Sequence, residues 1–397
     1  MVKGKQKELR LSTVLIYSLL LNTGSSFMWP LTTVYMHNYL HESLTTAGIV
    51  LFAMSMFMII GNYLGGYLFD HWSPYKTAII SVLITMASIV TLIFFHGWPI
   101  FGIMLLLYGL GNGSSMTLLN SYASMITSKS TRYVFNSLYV GLNLGVVVGT
   151  ALVGFLMKYG ISVVFIVATG FYIVLLLMTI FEFNIKLHRP VPTAVKRSED
   201  DDVVQQKKNR GLKLIWLICI MVFCIYMSYT LWESVMSVHM TQLGISFENY
   251  SFLWTINGLL IVFIQPIINK IGSRFKMSRQ IAFGVIIFGL SFFMLIFAKQ
   301  YAVFVIIMVI LTFGEMNGLP GIPAWIDTLA DSRQKGKFQG LFNIFMSLGR
   351  AVGPLFGGLM VEFFNYPALF IVSGGLILLA LFCVMSEARK LSRTQKD

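Results

Sequence analysis

The sequence predicts an all-α integral membrane protein of twelve transmembrane helices arranged as two pseudo-symmetric six-helix halves. Hydrophobic residues make up 56% of the 397 positions and charged residues 11%, whereas a soluble protein carries about 25% charged. Twelve apolar runs are centred near residues 22, 56, 84, 111, 144, 172, 226, 258, 288, 315, 348 and 376. Each can supply the roughly 20 residues that a spanning helix needs. Glycines repeat between the halves at one offset: Gly145, Gly149 and Gly154 in the fifth run match Gly349, Gly353 and Gly358 in the eleventh, each 204 residues later.

The first run follows Lys3, Lys5, Lys7 and Arg10, a pattern that a signal peptide shares. Removing it would leave eleven runs and spoil the symmetry, so it reads as a spanning helix. Asn22, Thr23, Ser25 and Ser26, followed by Trp29 and Pro30, make it polar on one face and kinkable. The second run closes on Gly66-Tyr-Leu-Phe-Asp70, and the eighth closes on the related Gln265-Pro-Ile-Ile-Asn269. Asn112, Ser114, Ser115 and Asn120 mark the fourth run, and Asn136 and Asn143 the fifth. Glycines at four-residue spacing let two spanning helices approach closely.

The longest polar segment, with Pro190, Pro192, the acidic run Glu199 to Asp202 and Lys207-Lys208, reads as a solvated linker. The expected organisation is therefore a first half at 1–185, a linker at 186–210 and a second half at 211–397. The seventh run carries Tyr226, Tyr229, Trp232 and Glu233, the tenth Glu315 and Asn317, and the eleventh Gly349, Arg350, Gly353 and Pro354. Two similar halves are the mark of alternating-access carriers, whose site lies near mid-membrane. The competing account of any single Asn or Ser is a hydrogen bond to a neighbouring helix, worth about 0.6 kcal/mol.

The net charge of +13 is distributed as membrane topology requires. With both termini in the cytoplasm, 26 of the 29 basic residues fall in cytoplasmic segments, and only Lys158, Lys299 and Arg350 lie elsewhere. Nucleic-acid binding would need that charge gathered on one soluble module, so no nucleic-acid partner is expected. Cys219, Cys224 and Cys383 lie in apolar runs without metal-ligand spacing. No phosphate-binding loop or His-Glu-x-x-His motif is present, and no cofactor or metal is expected. His37, His41 and His239, near the outer ends of the first and seventh helices, are either sensors of external pH or incidental.

A carboxylate at mid-bilayer costs roughly 2.5–3.5 kcal/mol on insertion scales, so Glu315 and Glu233 are functional candidates, and Arg350, near the middle of the eleventh run, is a third. A carboxylate whose surroundings change as helices rock can load and release a proton or hold a cation. A plain buried ion pair between Glu315 and Arg350 is the alternative. Trp29, Tyr229 and Trp232 offer aromatic faces to a lipophilic cation, and 23 methionines supply adaptable packing.

The chain resembles the major facilitator superfamily over essentially its whole length. The run Gly349-Arg-Ala-Val-Gly353-Pro354-Leu-Phe-Gly357-Gly358 is similar to that family's Gly-Pro-x-x-Gly-Gly element. The loop Gly65-Gly66-Tyr-Leu-Phe-Asp70-His-Trp-Ser-Pro-Tyr-Lys76 resembles its Gly-x-Leu-x-Asp-Arg-x-Gly-Arg-Lys loop, departing at His71, Ser73 and Pro74. The resemblance implies a cytoplasmic gate in which Asp70 pairs with basic groups such as Lys76, Lys129 or Arg132. It also implies a central cavity lined by helices 1, 4, 7 and 10, hence by Asn22, Trp29, Asn112, Asn120, Tyr229, Trp232 and Asn317, with Asn143 from helix 5.

Leu311-Thr-Phe-Gly314-Glu315 and Trp232-Glu233-Ser-Val-Met-Ser-Val-His239 further resemble helices 10 and 7 of bacterial proton-coupled multidrug antiporters of the lactococcal type. That likeness implies proton coupling or cation binding at Glu315 and Glu233. Leu138 stands where that subgroup has an acid, and Leu105 near where the family has its proton-relay Arg. The expected activity is proton-coupled efflux of lipophilic, cationic small molecules by a monomer in the cell membrane. The alternatives are an importer or facilitator of a defined solute such as a sugar, peptide or organic acid, a lipid flippase, or a non-transporting receptor. An intramembrane enzyme would need a nucleophile with its base, and none is found.

Overall fold

A computed structural model describes residues 9–126, 128–129, 131–185, 204–272, 274–330 and 335–393. The described residues form helices and their connections, with no strand among them. Among the described residues eleven helices are long and apolar enough to cross a membrane, and the shorter apolar α1 (Leu11–Ser25) continues into α2 (Met28–Val34). The first six predicted runs thus become α1 with α2, α3 (Leu44–His71), α4 (Pro74–Phe94), α5 (Ile100–Ser124), α6 (Thr131–Leu156) and α7 (Ile161–Glu182). The last six become α8 (Val204–Glu233) with α9 (Val235–Gln242), α10 (Phe247–Gly272), α11 (Met277–Met294), α12 (Tyr301–Gly318) with α13 (Gly321–Leu329), α14 (Lys335–Phe363) and α15 (Tyr366–Arg393). Residues 186–203 of the expected linker lie outside the described residues.

Contacts group the chain into two compact units, 1–189 with 233–259, and 190–232 with 260–397. In the first unit α3 and α5 meet through small residues on both sides. A Cβ added at Gly65 would sit 2.5 Å from the Ser114 hydroxyl, and one at Gly109 2.5 Å from the Met54 carbonyl. Gly61 and Gly113 are as tightly opposed, to Leu110 and Met58. Without side chains to separate them, the helix backbones pack directly, which is how spanning helices associate in lipid.

The glycine repeat is borne by matching contacts. In the first unit an added Cβ at Gly145 would meet the Leu19 carbonyl of α1 at 2.5 Å, and one at Gly149 the Thr23 carbonyl at 2.5 Å. In the second unit Gly349 faces the Phe223 carbonyl of α8 at 2.6 Å, and Gly353 faces the Met227 carbonyl. Phe223 follows Leu19, and Met227 follows Thr23, by the same 204 residues that separate the glycines. Each unit therefore contains the same close seam, α1 on α6 and α8 on α14.

Three of the runs are broken, and local chemistry accounts for each break. In the first, Asn22, Thr23 and Ser26 donate their side chains to carbonyls four residues back, at 2.7, 2.8 and 2.6 Å. Such back-bonding competes with the helix ladder and bends it, and Pro30 brings no N–H for the Ser26 carbonyl. Between α8 and α9, Ser234 leaves the helix at φ −117°, ψ −71°. Between α12 and α13 the sequence Gly318-Leu-Pro320-Gly321-Ile-Pro323 removes two ladder donors in four residues.

Candidate functional site

The second unit brings two of the predicted residues together. Glu315 lies near the end of α12, half-buried, and its Oε1 accepts a hydrogen bond from the Tyr229 phenol of α8 at 3.4 Å. The Tyr229 ring stacks on Phe288 of α11, with centroids 6.1 Å apart and planes 9° from parallel, and lies 6.2 Å from the Tyr226 ring. Phe288 was not foreseen from sequence. It arrives because the glycines flanking Glu315 let α11 approach: an added Cβ at Gly314 would meet the Phe288 amide at 2.6 Å, and Gly318 opposes Gly284 and Val285. The result is a carboxylate with one phenol donor beside parallel aromatic faces, a combination that suits a proton or an organic cation.

Glu233, half-buried, is the last residue of α8, four residues and so about one turn beyond Tyr229. Its backbone carbonyl accepts from the Tyr250 phenol of α10 at 3.2 Å, and the Trp254 indole N–H donates to that same phenol oxygen at 2.9 Å. The helix break after Glu233 is thus held by a hydrogen-bonded pair of aromatic side chains. Trp232 is fully buried, and Arg350 is half-buried immediately after the seam residue Gly349.

In the first unit Asn112 joins three helices. Its amide donates to Ser25 of α1 at 3.4 Å and its carbonyl accepts from the Tyr172 phenol of α7 at 3.4 Å. Tyr172 in turn lies 3.3 Å, oxygen to oxygen, from Tyr108 of α5. Tyr108 and Tyr172 escaped the sequence reading, although two tyrosines inside otherwise apolar runs were the available signal.

The other predicted residues are placed less centrally. Asn22 is buried but its amide donates to Ser18 of its own helix, Trp29 and Asn143 are half-buried, and Asn120 is exposed. Asn317 donates to the Phe313 carbonyl at 2.8 Å and lines a separate cavity with Ile268, Phe275 and Phe283. Two residues along a helix is about 200° around it, so Asn317 and Glu315 point to opposite sides of α12.

Asp70 is exposed near the end of α3 and, among the described residues, makes no ion pair. The Lys76 ammonium lies 5.7 Å above the Trp72 ring, and the Arg132 side chain lies outside the described residues. The departures from the family loop have a local purpose. The Ser73 hydroxyl accepts from the Lys76 amide at 3.4 Å and Pro74 occupies the first helical turn, so together they start α4.

The sequence profile of the Major Facilitator Superfamily matches residues 14–232 and 218–397. The chain belongs to the Major Facilitator Superfamily. The MFS-type transporter YttB of Bacillus subtilis (strain 168) is 36% identical over 368 residues, 90% of this chain and 89% of YttB. Multidrug resistance protein 2 of the same organism is 23% identical over 345 residues, covering 83% of this chain and 84% of that protein. Among solved structures, the POT family transporter PepTSo superposes with a TM-score of 0.78 at 15% identity, over 96% of this chain and 98% of that one, a likeness of fold alone. The family is one of membrane transporters, and with eleven candidate spans beside α1 this chain is a multi-pass membrane protein.

Proposed function

We propose that this transporter exports lipophilic, cationic small molecules in exchange for protons. The observation that carries the reading is the Tyr229–Glu315 pair beside the Phe288 face. In the deprotonated state Glu315 holds an organic cation, whose flat apolar body lies against the aromatic rings. In the protonated state that attraction is gone and the cation leaves. A single carboxylate that cannot serve both partners at once couples their movements in opposite directions. Glu233, a turn further along α8, is a second acid for the same exchange, and Arg350 of α14 is the cation that tunes it.

In this reading the halves at 1–185 and 211–397 alternate access as a monomer, linked through 186–210, with both termini cytoplasmic. Asp70, Lys76 and Arg132 form the cytoplasmic gate. The similarity, over 83% of this chain, to a protein named for multidrug resistance supports the substrate class.

The test is proton-gradient-driven ethidium transport in proteoliposomes, comparing the natural chain with Glu315→Gln and Glu233→Gln. Gradient-dependent flux lost in Glu315→Gln is the expected result. Flux unchanged in both variants would remove these carboxylates from the mechanism. Folded protein with no dye flux would instead point to uptake of a defined solute or to lipid movement.

A further inference from the structure

A cavity of about 430 Å³ opens in the second unit where α10 ends and α11 begins. Ile268, Phe275, Phe283 and Phe313 form its walls, and Arg279, Gln280 and Asn317 are its polar contributors. Asn317 turns away from Glu315 around α12, so this cavity is separate from the transport site proposed above. Its aromatic walls are open to the surroundings: Phe275 is 62% exposed, Phe283 52% and Phe313 40%. On a spanning helix such rings face acyl chains, and a groove between them is a place for a chain to lie.

The charge beside the groove is of one sign. From Lys270 to Arg279 the connector holds Lys270, Arg274, Lys276 and Arg279 and no acid. Among the described residues, Arg274, Lys276 and Arg279 make no ion pair with a carboxylate. The connector is held in shape: the Arg274 amide donates to Ile271 at 3.1 Å, the Phe275 amide to Gly272 at 3.0 Å, and the Gln280 side chain covers Gly272. Cations are therefore displayed beside an apolar groove.

We propose that this groove binds an anionic phospholipid, with one acyl chain along Phe283 and Phe313 and the headgroup phosphate at Arg279. Basic pockets between spanning helices recognise headgroups in this way. A zwitterionic lipid offers the same phosphate, but its ammonium group meets the rest of the cationic connector unfavourably. The preference is thus for net negative charge, and the apolar walls require a lipid rather than a free phosphate.

Native mass spectrometry of the purified chain tests this, with phosphatidylglycerol and phosphatidylcholine of equal chain length added together. The natural chain should retain phosphatidylglycerol over phosphatidylcholine by about fivefold, the contribution of roughly one cationic contact. Arg279→Gln should bring the two lipids near parity, Arg279→Lys should keep most of the preference, and Lys158→Gln, in the other unit, should leave it intact. Equal retention of both lipids by the natural chain overturns the proposal. So does a preference that survives Arg279→Gln, or one that falls equally in Lys158→Gln, which would mark diffuse charge. A Phe313→Trp variant gives an independent reading: brominated phosphatidylglycerol should quench the added fluorescence more than brominated phosphatidylcholine, and equal quenching counts against the site.

Discussion

The Tyr229 hydroxyl donates to Glu315 across 3.4 Å, tying α8 to α12 at the one acid inside the α12 span. At that length the bond is weaker than an ideal one, and it is made to a carboxylate whose place in a bilayer is costly. Tyr229→Phe keeps the ring on Phe288 and removes only the donor. Hydrogen bonds to charged groups contribute about 1.5–3 kcal/mol, and a long one less, so the expected fall in gradient-driven efflux is about five- to tenfold. Initial rates in proteoliposomes measure it. Combining Tyr229→Phe with Glu315→Gln should add nothing to Glu315→Gln alone. A further drop would mean that the phenol acts elsewhere.

The glycine seams predict matched losses in the two halves. An alanine methyl at Gly145 or Gly349 would have to displace a backbone carbonyl on α1 or α8, and overpacking of this kind costs about 1–3 kcal/mol. Both variants should melt at lower temperature in detergent, by similar amounts. Gly375 has open space around its Cβ direction, so Gly375→Ala should leave the melting temperature unchanged or raise it, through higher helix propensity.

Ser73 predicts a cap. Replacing it with alanine leaves the Lys76 amide without its side-chain acceptor and should cost about 1 kcal/mol. Ser73→Asp should restore the loss, because aspartate caps equally well and favours a helix N-terminus. If Ser73→Asp melts no higher than Ser73→Ala, the hydroxyl is not acting as a cap.

His239, on α9 beyond the spanning length of α8, carries a pH prediction. Burial pushes its imidazolium down from 6.5 to about 4. The unfolded chain therefore binds a proton that the folded chain resists between those values. Stability is fully present above about pH 6.5 and declines as pH falls towards 4. His239→Asn should flatten that decline in thermal melts, and should leave the pH profile of transport between 7 and 8 unaltered because the ring is already neutral there. A transport profile that moves in that range would restore His239 as a sensor of external pH.

Composition and run length made the twelve spans legible, because lipid tolerates few alternatives to a continuous apolar helix. The glycine offset announced the repeat, and the structure adds what the glycines touch. Which way a polar residue points was harder to read. Asn317 sits two residues from Glu315 and turns to a different neighbour, while Asn22 spends its amide on its own helix. Phe288 and Phe283 looked like two more hydrophobic residues in an apolar run. Their significance depends on which helices lie beside them, a tertiary fact that no periodicity encodes. The helix breaks were partly legible: Pro30 marked the first, Pro320 was a signal the reading passed over, and Ser234 carries no such signature.

The paired seams also bear on descent. Two contacts that share an offset but not a location are most simply inherited from one ancestral six-helix unit, copied end to end. Gly145 and Gly349 then remain glycine for the same reason without ever needing to touch. Where related chains change at both positions together, the correlation will record a common origin and a common steric demand. It should not be taken as proximity.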